Sequence, residues 1–236
     1  MMNTYTIHPL QTARATRPTV MHTYLRNINE ITTLFYGAFL LKSENRNILV
    51  DTGCDALNYS AGPYSSLEDV ASLEQNLGRF GLDIDKIDAV ILTHLHFDHI
   101  AFLNHFHHCP KFVQKRELSS ALNPHPYFSS FYVPRFFENI NLEIIDGDRL
   151  LFPGIDVAMV PGHSAGCQAV IVETNEGLAA VSGFCCVAQN FEKNNIAVPG
   201  IHENFSECYD SMFKLMGLVD IVYANHSSEP VSLKRG

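Results

Sequence analysis

The chain has 236 residues, of which 46% are hydrophobic and 17% are charged. This composition excludes disordered, collagenous and coiled-coil chains, and the length allows one large domain or two small ones. The formal net charge of −9 argues against nucleic-acid partners and anionic membrane surfaces, because their phosphates are neutralised by basic side chains. No apolar run reaches the ~18 residues of a membrane span, and the N-terminus lacks a signal-peptide pattern.

Cysteine and histidine usage gives the first indication of chemistry. The 6 cysteines are irregularly spaced, which predicts a reduced, cytoplasmic protein rather than a disulfide scaffold. The chain has 12 histidines, and most of them fall between His94 and His125. Imidazole is a common ligand of zinc and similar metals, so this clustering points to a metal site.

Short β-rich segments alternate with two helical stretches along the chain. Residues 66–81 predict a helix, because Ser66 and Asp69 form a capping box and apolar residues follow at helical spacing. A second amphipathic helix is predicted at 204–218. No repeat or linker divides the chain, so we predict one α/β domain over residues 1–236 with layered mixed sheets. Strands are predicted at residues 34–41, 47–50, 88–93, 112–114, 142–145, 155–160, 168–173, 177–182 and 220–224.

An aromatic segment stands apart at residues 124–139. Its sequence from 124 to 137, PHPYFSSFYVPRFF, has no clear period. It is interpreted as an insertion that caps the core, lines a substrate pocket, or forms the interface of a homodimer. In each case we expect burial of the rings of Phe128, Phe131, Phe136 and Phe137, because exposing them would create an unusually large apolar patch.

The strongest motif is Thr93-His94-Leu95-His96-Phe97-Asp98-His99, directly after the apolar run AVIL. Neighbouring imidazoles resist protonation, and a carboxylate placed with them is poorly stabilised unless a cation lies between them. A polar loop of merely hydrogen-bonded histidines is the alternative. The density of the motif favours a metal site.

Three further residues follow predicted strands in the same manner. His163 lies in PGHSAG after 155–160, His226 follows 220–224, and Asp51 lies in LVDTG after 47–50. We therefore expect these strand ends to converge on one edge of the fold. A buried carboxylate such as Asp51 typically orients a ligand histidine from behind.

Together, LVDTG, THLHFDH, PGHSAG and His226 resemble the metallo-β-lactamase-fold hydrolase superfamily. The order of VQKRE, IDGD, VPGHSAG, IVET and NFE over residues 45–230 is most similar to the N-acyl homoserine lactonase family. This resemblance implies a four-layer αββα sandwich with two divalent metal ions, usually zinc, between the sheets. It assigns one metal to His94, His96 and His163, the other to Asp98, His99 and His226, and a supporting role to Asp51.

The sequence also departs from the family pattern. Counting back from NFE, Gly183 replaces an aspartate that bridges both metals, and Cys186 replaces a tyrosine that polarises the substrate. The family's Gly-Gly-Asn is changed at 101–103, and Cys167 replaces a histidine. A thiolate could restore the lost negative charge at the second metal. Side-chain alternation favours Cys185 over Cys186 for this role, and apolar packing is the alternative for both.

The favoured function is hydrolysis of a small-molecule lactone or related ester. Metal-bound hydroxide would attack the carbonyl, and Asp98 would position this nucleophile as a catalytic residue. One alternative is a thioesterase of the glyoxalase II type, which needs the same metal frame. Another is a metal-binding module whose catalysis is reduced or lost because the bridging aspartate is absent.

Overall fold

Two mixed β-sheets face each other in this protein. The structure, a computed structural model, describes residues 4–56, 67–192 and 195–233. The first sheet has the spatial order β4-β1-β2-β3-β5-β6-β7, in which β1 to β3 are antiparallel and β3, β5, β6 and β7 run parallel. Its strands are β1 (Thr6–Pro18), β2 (Ile31–Lys42), β3 (Asn47–Val50), β4 (Glu68–Asp69), β5 (Ala89–Ile91), β6 (Lys111–Gln114) and β7 (Glu143–Ile145).

The second sheet has the order β13-β12-β11-β10-β9-β8. Neighbouring strands are antiparallel except β11 and β12, which are parallel. Its strands are β8 (Arg149–Phe152), β9 (Ile155–Met159), β10 (Gln168–Thr174), β11 (Gly177–Val181), β12 (Ile221–Tyr223) and β13 (Val231–Ser232).

The described helices are short except for the last. The α-helices are α1 (Leu73–Gly78), α2 (Phe97–Ile100), α3 (Lys115–Leu122) and α4 (Phe205–Leu218). Single 3-10 turns lie at Thr19–Met21, Ile84–Lys86, Leu103–His105, Ser129–Phe131, Pro134–Phe136 and Ala188–Phe191. Within the described ranges, no helix has the length and apolarity needed to cross a bilayer.

Side-chain alternation along the strands separates three apolar layers. In β3, Ile48 and Val50 point into a core between the two sheets, where they meet Val170 of β10. Leu49 points the other way, into a core covered by α1 and the segments around it. Met212 of α4 packs on the outer face of the second sheet in a third core. The arrangement is a four-layer αββα sandwich, which confirms the predicted fold class.

The predicted helix at 66–81 is partly wrong. The helix begins after Ser72, whose side chain caps the backbone N–H of Gln75 while the Gln75 side chain caps the backbone N–H of Ser72. Glu68–Asp69 instead pairs with β1. Ser66, the predicted capping residue, lies outside the described residues. A second S-x-x-polar motif, Ser72 with Gln75, lies closer to the apolar residues and caps the helix instead.

The prediction that the rings of Phe128, Phe131, Phe136 and Phe137 are sequestered is largely confirmed. Phe137 is buried, and Phe128, Phe131 and Phe136 are half-buried. Three of these four rings pack on the core beneath the first sheet. Phe131 instead lies with its ring 5.0 Å from that of His96. The segment therefore covers the core and also reaches the predicted metal site.

Candidate metal centre

Four strand ends bring the predicted site residues to one edge of the two sheets. Asp51 follows β3, and the histidine-rich motif follows β5 after Leu92 and Thr93. From the second sheet, His163 follows β9 and His226 follows β12. The predicted convergence of these residues is therefore observed.

His94, His96 and His163 form the first donor group. One ring nitrogen from each residue lies within 4.8 Å of those of the other two, and all three side chains are buried. The Nε2 atoms of His94 and His163 are 3.2 Å apart. Such an arrangement suits zinc, which binds imidazole nitrogens at about 2.0–2.1 Å.

Asp98, His99 and His226 form the second donor group. Their donor atoms also lie within 4.8 Å of one another. Oδ2 of Asp98 is 3.6 Å from Nε2 of His99 and 3.7 Å from Nε2 of His226. Asp98 and His99 lie on α2, a single helical turn, and not on an open loop.

Hydrogen bonds behind the rings fix their orientation. Nδ1 of His163 donates to the carbonyl oxygen of Ile201 at 2.8 Å, and Nδ1 of His226 donates to the carbonyl oxygen of Phe35 at 2.9 Å. These bonds place the proton on Nδ1 and leave Nε2 as the free donor atom for a metal. The sequence motif contains neither carbonyl partner.

Asp51 joins three of the loops that build the centre. Its carboxylate accepts hydrogen bonds from the Thr93 backbone at 2.7 Å, from His99 Nδ1 at 2.8 Å and from Asn225 Nδ2 at 3.2 Å. The residue has a φ of +60°, a conformation that is uncommon outside glycine and is best tolerated by Asn and Asp. The predicted role of Asp51 behind the ligands agrees with this geometry.

Glu117 ties together the two loops of the first donor group. Its buried carboxylate accepts from the backbone N–H of Leu95 at 2.9 Å, from Ser164 Oγ at 2.7 Å and from the backbone N–H of Gly166 at 3.0 Å. Burial raises the pKa of Glu117, although these hydrogen bonds favour the ionised form. Sequence reasoning gave this residue no role, because its partners are distant in sequence.

Burial keeps most of the imidazoles unprotonated. It lowers the pKa of His163 to about 3 and that of His226 to about 4. Burial and neighbouring histidines hold the pKa values of His94 and His96 well below the usual range. For His99, burial also acts to lower the pKa, but the carboxylates of Asp98 and Asp51 outweigh it and raise the pKa. Neutral imidazole is the form that binds metals.

The donor groups also leave polar atoms that a metal would satisfy. Nε2 of His96, His99 and His226 is buried and has no hydrogen-bond partner among the residues that the structure describes. An unsatisfied buried polar atom costs about 1–3 kcal/mol. A cation bound by each donor group would remove this cost. The residues therefore fit two metal ions.

A cavity of about 20 Å³ opens between the donor groups and the surrounding wall. This volume is on the order of one water molecule. Of the carboxylates in the described ranges, only Asp98 lines it. Arg17, His22 and Tyr36 line it as well. No sequence motif singled out Arg17 or Tyr36.

Cys185 and Cys186 point in different directions. The Cys185 thiol lines the cavity and lies 3.5 Å from Nδ1 of His22, but it is not part of either donor group. Cys186 packs in the core beneath α4 and contacts Ser182 Oγ at 3.1 Å. The predicted direction of the two thiols is confirmed, whereas a ligand role for Cys185 stays a prediction.

Strand alternation, from which this direction was predicted, is not its cause, because β11 ends at Val181 and the chain is no longer extended at Cys185 and Cys186. Gly183 has a φ of +78°, and a Cβ at this position would overlap the carbonyl oxygen of Gln168. A side chain at 183 would therefore collide with β10. Cys185 is the residue of this segment that faces the donor groups.

An αββα sandwich with two buried donor groups at the ends of its strands defines a class of metal-binding proteins. The profile of the metallo-beta-lactamase superfamily matches residues 33–183. The chain belongs to this superfamily, as its sequence motifs predict.

Proteins of known function with similar sequences include an N-acyl homoserine lactonase. The N-acyl homoserine lactonase AiiA of Bacillus thuringiensis subsp. kurstaki is 32% identical over 149 residues, which are 58% of this chain and 58% of AiiA. The match thus spans less than two thirds of that relative.

Solved structures share the fold over more of the chain. A B. thuringiensis AiiA variant with bound N-decanoyl-L-homoserine has a TM-score of 0.76 and 23% identity, over 96% of this chain and 94% of that one. AidC, described as a dizinc quorum-quenching lactonase, has a TM-score of 0.66 and 15% identity, over 95% and 91%.

Proposed function

We propose that this protein is a metal-dependent hydrolase of small-molecule lactones or related esters, with two zinc ions as its cofactors. The observation that carries the proposal is the pair of buried donor groups at one sheet edge, with Nε2 atoms that lack partners among the described residues. Superfamily membership supports hydrolysis, and the name of the relative AiiA supports a lactone as substrate.

Each donor group would hold one cation. The first would be bound by His94, His96 and His163, and the second by Asp98, His99 and His226. When bound, such ions lower the pKa of water toward about 7 and polarise a carbonyl oxygen. Asp98 lines the cavity and offers a carboxylate that accepts a proton or orients a water molecule beside the substrate carbonyl.

The cavity wall supplies the rest of the site. The Phe131 ring lies 5.0 Å from the ring of His96, and it provides an apolar surface for the acyl part of a substrate. Tyr36 lies with its ring 4.7 Å from that of His226, near the second donor group. Its phenol would donate a hydrogen bond to a leaving oxygen, a role that Cys186 cannot fill from the core.

The experiment is a substrate panel on protein loaded with zinc, with lactones, aryl esters and acyl thioesters at equal concentration. We expect hydrolysis of lactones or esters that is lost with a chelator and restored by zinc. His96→Ala should abolish turnover, whereas His107→Ala, an exposed residue of the same chain segment, should not. Turnover of thioesters alone would favour the glyoxalase II type of activity. Metal binding without turnover of any class would favour a binding module.

A further inference from the structure

The central cavity contains a buried cation that the proposed reaction does not require. Arg17, the residue before the end of β1, is only 9% exposed and lines the cavity together with Asp98. It is the only Arg or Lys that lines the cavity in the described part of the chain. Arg17 also acts electrostatically on Tyr36, whose ring lies 4.7 Å from that of His226. Arg17 thus borders the same cavity as Asp98 and His99 of the second donor group.

With both metal ions bound, the cavity would have more positive than negative charge around it. Two divalent ions would bring four positive charges, of which Asp98 in the cavity, Asp51 behind His99 and Glu117 beside the first donor group offset three. Arg17 adds a positive charge back. No residue from 182 to 190 is acidic, so this segment supplies no carboxylate. A site with this excess attracts an anion, because bound cations dominate the local field.

We propose that Arg17 binds a carboxylate carried by the substrate itself, so that the protein prefers esters or lactones with a free carboxylate near the reacting carbonyl. The inference rests on the proposed hydrolysis and names its substrate class. A guanidinium presents two parallel N–H donors that match the two oxygens of a carboxylate, and such bonds are strong when buried. Met21, Phe131 and Ile201 on the same wall are apolar, and movement of these side chains would open the water-sized cavity to a small organic acid.

The test uses two esters that differ only at the end of the acyl chain. Mono-p-nitrophenyl succinate ends in a carboxylate, whereas p-nitrophenyl butyrate ends in a methyl group. With zinc-loaded wild type we expect kcat/KM at least about tenfold higher for the succinate, because hydrogen bonds between two charged groups are strong when buried. Arg17→Met should remove this preference, and Arg17→Lys should retain part of it.

Arg14→Met is the matched control. Arg14 lies on the same strand, is exposed, and forms a 2.9 Å ion pair with Glu68 away from the cavity. We expect this variant to keep the wild-type preference. Equal kcat/KM for the two esters in wild type would overturn the inference even if Arg17→Met did not fold. An equal loss for both esters in Arg17→Met would also overturn it, because the guanidinium would then serve the reacting carbonyl.

Calorimetric binding separates this inference from the proposed function. Succinate and butyrate are titrated into zinc-loaded wild type, Arg17→Met and Arg14→Met. We expect succinate to bind at least about tenfold more tightly than butyrate unless Arg17 is replaced. If neither ester is hydrolysed but this preference is found, the proposed function fails and the carboxylate site stands. If both esters are hydrolysed and no preference exists, the carboxylate site fails alone.

Discussion

His99 donates a hydrogen bond from Nδ1 to Oδ2 of Asp51 across 2.8 Å, at the boundary between β3 and the histidine-rich motif. Both side chains are almost fully buried. Asp51 adopts a left-handed backbone conformation to make this contact. Conformations of this kind persist where the surrounding structure enforces them and are frequent at functional sites.

Asp51→Asn should weaken zinc binding at the second donor group. Asparagine tolerates the left-handed backbone, so the change removes the charge behind His99 without added strain. We expect affinity for the second zinc to fall by about 10–100-fold, as for other residues that support metal ligands. Zinc titration against a competing chelator measures this. Asp148→Asn, which removes an exposed carboxylate paired with Lys214, should leave both affinities unchanged. An unchanged second affinity in Asp51→Asn would contradict the predicted role.

Glu117→Gln should weaken the first donor group selectively. An amide has one acceptor oxygen, so at least one of the contacts to Leu95, Ser164 and Gly166 is lost. Hydrogen bonds to a charged group contribute about 1.5–3 kcal/mol each, and we expect lower zinc affinity at this group together with a lower melting temperature. Glu207→Gln, at an exposed pair with Arg116, is the control. A lower melting temperature with normal zinc affinity would show that Glu117 only stabilises the fold.

Cys185→Ser should change the spectrum of cobalt-substituted protein if the thiol joins the second metal. A thiolate ligand gives cobalt a strong charge-transfer band in the near ultraviolet, and we expect this band in wild type and in Cys186→Ser. It should vanish in Cys185→Ser, with weaker occupancy of the second position. A wild-type spectrum without the band would leave Cys185 as a wall residue beside His22.

The protein without metal should lose stability in acid. Burial lowers the pKa of His163 to about 3 and of His226 to about 4, whereas both titrate near about 6.5 in an unfolded chain. Below that pH the unfolded state binds more protons, so the free energy of unfolding falls as the pH falls toward 4. Each residue contributes about 1.4 kcal/mol per pH unit at most.

Urea unfolding between pH 7 and 4.5 measures this slope. His99, whose pKa is raised by Asp98 and Asp51, contributes in the opposite sense, above its unfolded pKa of about 6.5. The variant His163→Asn should show a shallower slope than the metal-free wild type. A slope that does not change in this variant would mean that His163 titrates normally in the folded protein.

The sequence predicts the strand ends and the donor residues of this site well, because the patterns that mark them lie within short stretches of the chain. Apolar runs mark the buried strands, and the polar residues that follow them mark the strand ends, as for His163 after β9 and His226 after β12. Once a sheet is assumed, the ends of its strands must lie together. The six donor residues were found in this way and by the family resemblance.

The site residues that the sequence did not indicate either contact partners far away in the sequence or lie inside strands. Arg17 belongs to β1, a 13-residue strand that was not predicted, because Pro9 and scattered polar residues interrupt its apolar pattern. Glu117 meets Ser164 through a contact 47 residues apart in sequence. Arg17 belongs to no motif, and Glu117 ends the VQKRE segment, which gave the order of the motifs but no role for the carboxylate. Only the folded chain brings both residues to the metal centre.

Anomalous X-ray scattering at the zinc edge, on crystals of zinc-loaded protein, locates the bound metal ions directly. Two peaks are predicted, one among Nε2 of His94, His96 and His163, and one among the donor atoms of Asp98, His99 and His226. A crystal with no peak at these positions, or with its zinc bound only elsewhere on the protein, would contradict the account.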